Sequence, residues 1–406
     1  MINFLKRPDI KRTEAFNTIA QKLRIHSVSI EKDEWVTAVI RALFSLPYAE
    51  HLLFKGGTSL SKCWHIIERF SEDVDIAINR ELLGFSGELS NNQIRNNLRK
   101  TSYLFIKEKL SADLTDNMKI QGINPDLFSV NVEFSEDSTK DPVIVEIQYK
   151  SVIEGLTYIN PAVKLEIGCR SMREPFEKVK IQSLVDETYP NTPFSDIPFE
   201  VNAVDPQRTF IEKLCLLQEE FAKPQELVRT NRMSRHLYDI CKIADTNIAD
   251  KALENNDLWN AIVEHRQKFV KMKDFDYELL NPQNINIIPP NFIISQWQQD
   301  YETMRETMIY GESLLFDNLI NKIKQLNERI NKIKTVQISG KKIKNFDYEL
   351  LKPQNISIIP PDFVISQWQQ DYETMRETMI YSESLLFNKL IDKIKQLNER
   401  INNIDW

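Results

Sequence analysis

Apolar side chains recur at helical spacing through RTEAFNTIAQKLRI and again through EKDEWVTAVIRALFSL, so residues 8–46 are read as two helices joined by a short polar break. A short apolar run, HLLF, and the dipeptide Gly56-Gly57 follow. SLSKCWHIIERF then has the period of an amphipathic helix, with Leu60, Trp64 and Ile67 on one face. SEDVDIAI alternates carboxylate and apolar side chains, the period-two pattern of a strand with one buried face. A helical stretch near residues 91–110 precedes the strand-like runs FSVNVEFS, VIVEIQYK and VKLEIGCR. After a proline-marked region the chain turns helical again in RTFIEKLCLLQEEFA and SRHLYDICKIA. Early helices, a central run of strands and a late helical part predict an α+β or α/β domain followed by an all-helical one.

The last third contains one segment written twice. Residues 275–334 and 346–405 match at an offset of 71, with roughly fifty of sixty aligned positions identical, which is a tandem duplication rather than a solenoid of short repeats. Each copy has FDYELL, a Pro-Pro turn and a helix opening near SQWQQDYETM. A terminal helix carries Phe316, Leu319, Ile323, Leu326, Ile330 and Ile333 at three- and four-residue steps, a seam too short to stand as a coiled coil. The first copy is expected to pack on the helical domain through Trp297, Tyr301, Met304 and Met308. Trp368, Tyr372, Met375 and Met379 repeat that face in the second copy. Three arrangements are open to the second copy: packing on the first, occupying the same groove of a neighbouring molecule, or hanging free.

Composition narrows the class further. No apolar h-region opens the chain and no stretch of ~18 apolar residues occurs, so a cytoplasmic protein without membrane insertion is expected. Cys63, Cys169, Cys215 and Cys241 are scattered without a CxxC pair, which argues against a zinc site or disulfide framework and for buried, reduced thiols. The formal net charge is −7, so an RNA substrate would need a local basic patch. Arg229, Arg232 and Arg235 form one basic cluster, readable either as a solvated helix face or as a phosphate contact.

The chemistry concentrates in KGGTSLSKCWHIIERFSEDVDIAI. Gly56, Gly57, Thr58 and Ser59 sit where a strand gives way to a helix, a place where phosphate can approach backbone N–H groups closely. Alternation on the next strand puts Asp73 and Asp75 on one face, with Val74 and Ile76 turned to the core. Two carboxylates on one face repel unless a cation lies between them, and Mg²⁺ takes such oxygen ligands together with substrate phosphates. Each element alone is weak: a Gly-Gly-Thr turn is commonly a mere loop, and a D-x-D commonly a solvated strand edge. In this order, with a short helix between, they point to nucleotidyl transfer.

Here the sequence resembles the AbiEii/AbiGii-type nucleotidyltransferases of abortive-infection and toxin–antitoxin systems, which have a polymerase-β-like fold. The matching stretches are FKGGTSLSK, RFSEDVDIAI, KLEIGCRS, RTFIEKLCLLQEE, SRHLYDI and WQQDYETMRETMIYGESLLF. The resemblance implies an NTP substrate, a two-metal Mg²⁺ site, a tRNA acceptor end or other RNA as acceptor, and a cognate antitoxin. It carries the nucleotide-binding role to Gly56, Gly57, Thr58, Lys62, Arg69 and Ser71, and the catalytic role to Asp73, Asp75, Lys213 and Asp239. Lys213 would face the triphosphate, and Asp239 would orient it or a neighbour such as Arg235. The third metal carboxylate is Glu166 or Glu146, with Glu166 preferred because it falls in the family-like EIGCRS stretch. Gln218 departs from the family, which often has histidine there, and a structural role is expected for it. His65 and His236 are read as packing or surface residues.

The expected architecture is therefore an α+β, polymerase-β-like core with a mixed sheet over residues 1–200, an α-helical domain over 201–335, and a linker with the duplicated helical tail over 336–406. A nucleotide-binding regulator without turnover, a helical adaptor, and a transferase with a protein or small-molecule acceptor are the competing readings.

Overall fold

The computed structural model describes residues 2–70, 73–154 and 160–333. Ser71 and the second copy of the repeat lie outside the described residues. Helices α1 (Asp9–Leu23) and α2 (Ser27–Leu43) come first, and Phe16, Ile19, Trp35, Val39 and Leu43 bury their shared apolar face completely. Strand β1 (Leu52–Lys55) runs straight into α3 (Gly56–Lys62), and β2 (Asp73–Ile78) returns antiparallel to β1.

The helix expected through residues 59–70 stops at Lys62. His65 adopts a left-handed φ of 51°, and residues 68–70 pair instead with distant backbone: Phe70 N–H donates to Met308 O at 2.9 Å and Tyr310 N–H to Glu68 O at 3.0 Å. Non-local pairing has overridden the local helical period. Leu60, within α3, and Ile67, on the irregular backbone beyond it, are both buried as the pattern requires.

A long helical stretch then passes from a π-helical turn (Gln93–Leu98) through α4 (Arg99–Leu104) and a second π turn (Phe105–Leu110) into α5 (Ser111–Ile120). Strands β3 (Phe128–Val132), β4 (Val143–Tyr149), β5 (Ala162–Gly168) and β6 (Phe176–Ile181) follow, then the short α6 (Leu184–Thr188) and β7 (Phe199–Val204). Among the described residues seven strands form one mixed sheet in the order β3-β4-β5-β2-β1-β7-β6, with β2–β5 and β1–β7 parallel and the other pairs antiparallel. Val74, Val145, Leu165 and Ile167 point to one face, into a core shared with α1 and α2. Alternation turns Asp73, Asp75 and Glu166 to the other face.

Asp205 opens the helical part. Its carboxylate accepts from Gln207 N–H at 2.7 Å, and Pro206 occupies the first turn of α7 (Pro206–Phe221), where a missing N–H leaves nothing unpaired. Helices α8 (Ser234–Ala244), α9 (Asn247–Glu254), α10 (Asn256–His265), α11 (Ile294–Thr307) and α12 (Phe316–Asn331) complete it. Their apolar faces meet in a second core that contains Leu214, Leu237, Trp259, Trp297, Tyr301 and Met304, with Met308 at its margin. The seam of α12 (Phe316, Leu319, Ile323, Leu326, Ile330) enters this same core. Burying each such side chain contributes ~1.5–3 kcal/mol, so the first repeat is integral to the helical part. No helix among the described residues is long and apolar enough to cross a membrane. All four cysteines are free and buried.

Candidate active site

The carboxylates are set by register. Asp75 on β2 stands opposite Glu166 on the parallel neighbour β5 and opposite Lys55 on the antiparallel neighbour β1. Asp73, one pleat back, is opposite Lys164 and accepts from Arg235 of α8 at 3.2 Å. Glu146 lies a further strand away on β4, opposite Lys164, about 10 Å from β2 on normal strand spacing. The Glu166 carboxyl is raised above the usual range by burial, then by the nearby Asp75 and Asp73 charges, with Arg235 and Lys55 opposing. Crowded, hard oxygen donors of this kind are relieved by a divalent cation, so the donor chemistry fits one. Among the described residues no three His, Cys, Asp or Glu side chains converge as a metal-binding group.

Gly56 begins α3 at a φ of 75°, and a Cβ there would overlap the Asp75 carboxylate. The glycine thus meets two needs, a left-handed backbone and contact between the strand-to-helix turn and the carboxylate. The Thr58 hydroxyl donates to Asp73 O at 2.6 Å and latches α3 to β2.

From the helical side, Lys213 of α7 and Asp239 of α8 form a buried ion pair at 2.9 Å. Asp239 also receives Arg69 Nε and an Arg69 terminal nitrogen at 2.7 and 2.8 Å. Burial opposes ionisation of Asp239, but Arg69 and Lys213 overcome it and hold its carboxyl well below the usual range. Burial lowers the Lys213 pKa, and Asp239 counters that effect. His236 Nδ1 lies 3.3 Å from Lys213 Nζ, and burial together with Lys213 and Arg235 holds the imidazole well below its ordinary pKa. A neutral His236 can accept from the ammonium, so Asp239 and His236 engage two of its three donors.

These side chains line a cleft of about 300 Å³ that brings together Lys55, Gly56, Gly57, Arg69, Asp75, Glu166, Lys213, Arg235 and His236. Glu212 and Arg266 line it too. Burial alone would raise Glu212, but Arg208 and Lys55 hold its carboxyl at about 2. Other expected residues are placed differently. Thr58 and Ser59 are buried behind the turn. Lys62 bonds Asp33 at 2.6 Å and lines a separate cavity of about 90 Å³ beside α2. Arg69 is committed to Asp239, and Arg235 to Asp73 rather than to Asp239. Gln218 accepts from Asn286 N–H at 2.6 Å and ties α7 to the first repeat.

Sequence reasoning missed Lys55, Glu212 and Arg266 as cleft residues. Lys55 directly precedes the glycine pair and Glu212 directly precedes Lys213, so adjacency was a usable signal for both. Arg266 has no local signal, because tertiary packing alone brings it there.

The first repeat holds this site in place. No α8 N-cap side chain caps its own helix; instead Asp300 of α11 accepts from Arg232 N–H, Ser234 N–H and the Ser234 hydroxyl at 2.5, 2.9 and 2.5 Å. The helix carrying Arg235, His236 and Asp239 is thus anchored by residue 300 of the repeat.

A family model described as "Nucleotidyl transferase AbiEii toxin, Type IV TA system" matches residues 40–322. Among solved structures, JHP933 from Helicobacter pylori matches at 15% sequence identity and a TM-score of 0.31, covering 75% of this chain and 97% of that one. A presumed nucleotidyltransferase from H. pylori matches at 14% identity and a TM-score of 0.36, covering 76% of this chain and 96% of that one. Likeness at this level assigns no residue and no chemistry. A comparison with curated proteins finds none that matches.

Proposed function

The chain belongs to the AbiEii family of nucleotidyltransferase toxins, and from that premise we propose that it transfers a nucleoside monophosphate from an NTP to a hydroxyl of RNA, with a tRNA acceptor end as the favoured substrate. The family carries a type IV toxin–antitoxin assignment, which implies a cognate antitoxin. The observation that carries the proposal is the facing of two charged walls across one cleft, Asp75 and Glu166 on the sheet and the Asp239-bound Lys213 on the helices.

Asp73, Asp75 and Glu166 would hold the divalent cation, Mg²⁺ on our reading. When bound, it lowers the pKa of the attacking hydroxyl and neutralises charge on the phosphates. The glycines at 56 and 57 let the triphosphate approach the backbone without a side chain in the way. Lys213 is a fixed cation for the leaving pyrophosphate: with Asp239 and His236 holding its ammonium, little reorganisation is needed as charge develops. Arg69 acts through Asp239 as a positioning residue, since its guanidinium is bound there on two nitrogens. Arg235, bonded to Asp73, offsets part of the negative charge that the carboxylates bring to the sheet wall.

The test is label transfer from each α-labelled NTP to total RNA and to protein. Label on small RNA, absent with Asp73→Ala, is the expected result. Label on protein alone would contradict the RNA acceptor.

A further inference from the structure

Asp73 stands apart from the other two carboxylates. Asp75 and Glu166 are partners in the β2–β5 register, about 4.8 Å apart at the backbone, and both line the cleft. Asp73 lies about 7 Å back along β2, is 9% exposed and does not line the cleft. Arg235, its partner, does line it. Arg235 Nη1 donates to Asp73 Oδ2 at 3.2 Å, and the arginine side chain is 27% exposed.

Helix α8 is pinned on both sides of Arg235. Before it, Asp300 accepts from Arg232 N–H, Ser234 N–H and the Ser234 hydroxyl. One turn after it, the Asp239 carboxylate is held by Arg69 and Lys213. The guanidinium keeps its charge at every working pH, because arginine is not deprotonated in proteins. That charge also reaches Glu166: burial, Asp75 and Asp73 raise its carboxyl, and Arg235, then Lys55, oppose them.

Paired catalytic ions lie about 3.5–4 Å apart. Two divalent ions so close repel one another, and carboxylates that give an oxygen to each offset the repulsion. Asp73 is poorly suited to that bridging, since its Oδ2 already carries a cationic partner. An ion placed there would meet the guanidinium, a like charge. We propose that the cleft takes one divalent cation, on Asp75, Glu166 and at most one oxygen of Asp73, and that Arg235 supplies at Asp73 the positive charge a second ion would bring. This rests on the nucleotidyltransferase reading above and departs from the two-metal site that the resemblance implies. Arg235 is a positioning residue here: it holds Asp73 and adds a fixed charge, with no proton to exchange.

Manganese(II), which takes the same oxygen ligands as Mg²⁺, reports the number of ions directly. The full chain is mixed with Mn²⁺ and each α,β-methylene NTP in turn, analogues in which the bond broken by transfer is blocked. Electron paramagnetic resonance separates a lone ion, with resolved hyperfine lines, from a pair about 3.5–4 Å apart, whose spins couple. Wild type should hold one Mn²⁺ per complex and give the uncoupled spectrum. Arg235→Gln should hold two and give the coupled one. Arg235→Lys, which keeps the charge, should hold one. A coupled spectrum from wild type overturns the proposal and leaves the transferase reading intact, whatever the stability of the variants. An uncoupled spectrum from Arg235→Gln that unfolds at the wild-type temperature overturns it too, as do two ions on Arg235→Lys. Wild type that binds neither analogue nor Mn²⁺ overturns the transferase reading and this proposal together.

Discussion

Arg69 and Asp239, 170 residues apart in sequence, meet through two N–H···O bonds of 2.7 and 2.8 Å with almost no solvent access. The pair joins the irregular segment after α3 to α8, and Lys213 completes it from α7. Removing one member strands buried charge. Asp239→Asn should destabilise by ~3–5 kcal/mol, seen as a lower urea midpoint, and should also abolish transfer because Lys213 loses its anchor. An unchanged midpoint would show that the network carries no stability.

Gly56→Ala tests the contact between the turn and the carboxylate. The added Cβ overlaps Asp75 and sits at a left-handed φ, which costs about 1–2 kcal/mol. Circular dichroism should show a folded protein with a modestly lower Tm, while kcat falls by about a hundredfold or more. Near-wild-type turnover would mean that Asp75 need not lie where it does.

The duplication offers a natural substitution. Gly311 in the first copy is replaced by Ser382 in the second. A Cβ at Gly311 would overlap the carboxyl group and Cβ of Glu68, in the segment whose backbone pairs with residues 308–310 and leads into Arg69. Gly311→Ser should therefore destabilise by ~1–3 kcal/mol. Thermal unfolding of the single variant measures it, and an unaltered Tm would contradict the close approach.

A pH effect arises at α2, outside the residues that line the cleft. Glu34 of α2 is 3% exposed, and its Oε2 has no hydrogen-bond partner among the described residues. Burial first, then the Asp186 charge, raises its carboxyl from 4.5 to about 8. A folded-state pKa above the unfolded one gives a contribution fully present below about pH 4.5 and lost as pH rises to about 8. Glu34→Gln, which cannot ionise, should stabilise by on the order of 4 kcal/mol at pH 8 and have little effect at pH 4. Equal effects at both pH values would contradict the buried proton.

Much of this was legible in the sequence because its signals are local. Period-two alternation placed Asp73 and Asp75 on one face, and the Gly-Gly before a helix marked the turn. The resemblance supplied Lys213 and Asp239, whose meeting no spacing could show. What sequence missed is non-local. The period through residues 59–70 promised a helix, but pairing with residues 308–310 took its place. Arg69, expected on nucleotide, lines the cleft with its guanidinium bound to Asp239, and Arg235 reaches Asp73, neither of which local spacing could show because both depend on how α8 docks. That docking is set by Asp300, in a repeat whose apolar periodicity revealed packing but not its polar anchor.

Asp75 and Lys213 line one cleft, which we read as the place of nucleotidyl transfer. The most direct test of that reading is transfer of α-phosphorus label from NTP to RNA with Mg²⁺, comparing wild type with Asp75→Asn. Labelled small RNA is expected from wild type, with a loss of about 10³-fold or more in the variant and NTP-free thermal stability retained. Transfer by Asp75→Asn at the wild-type rate would contradict it.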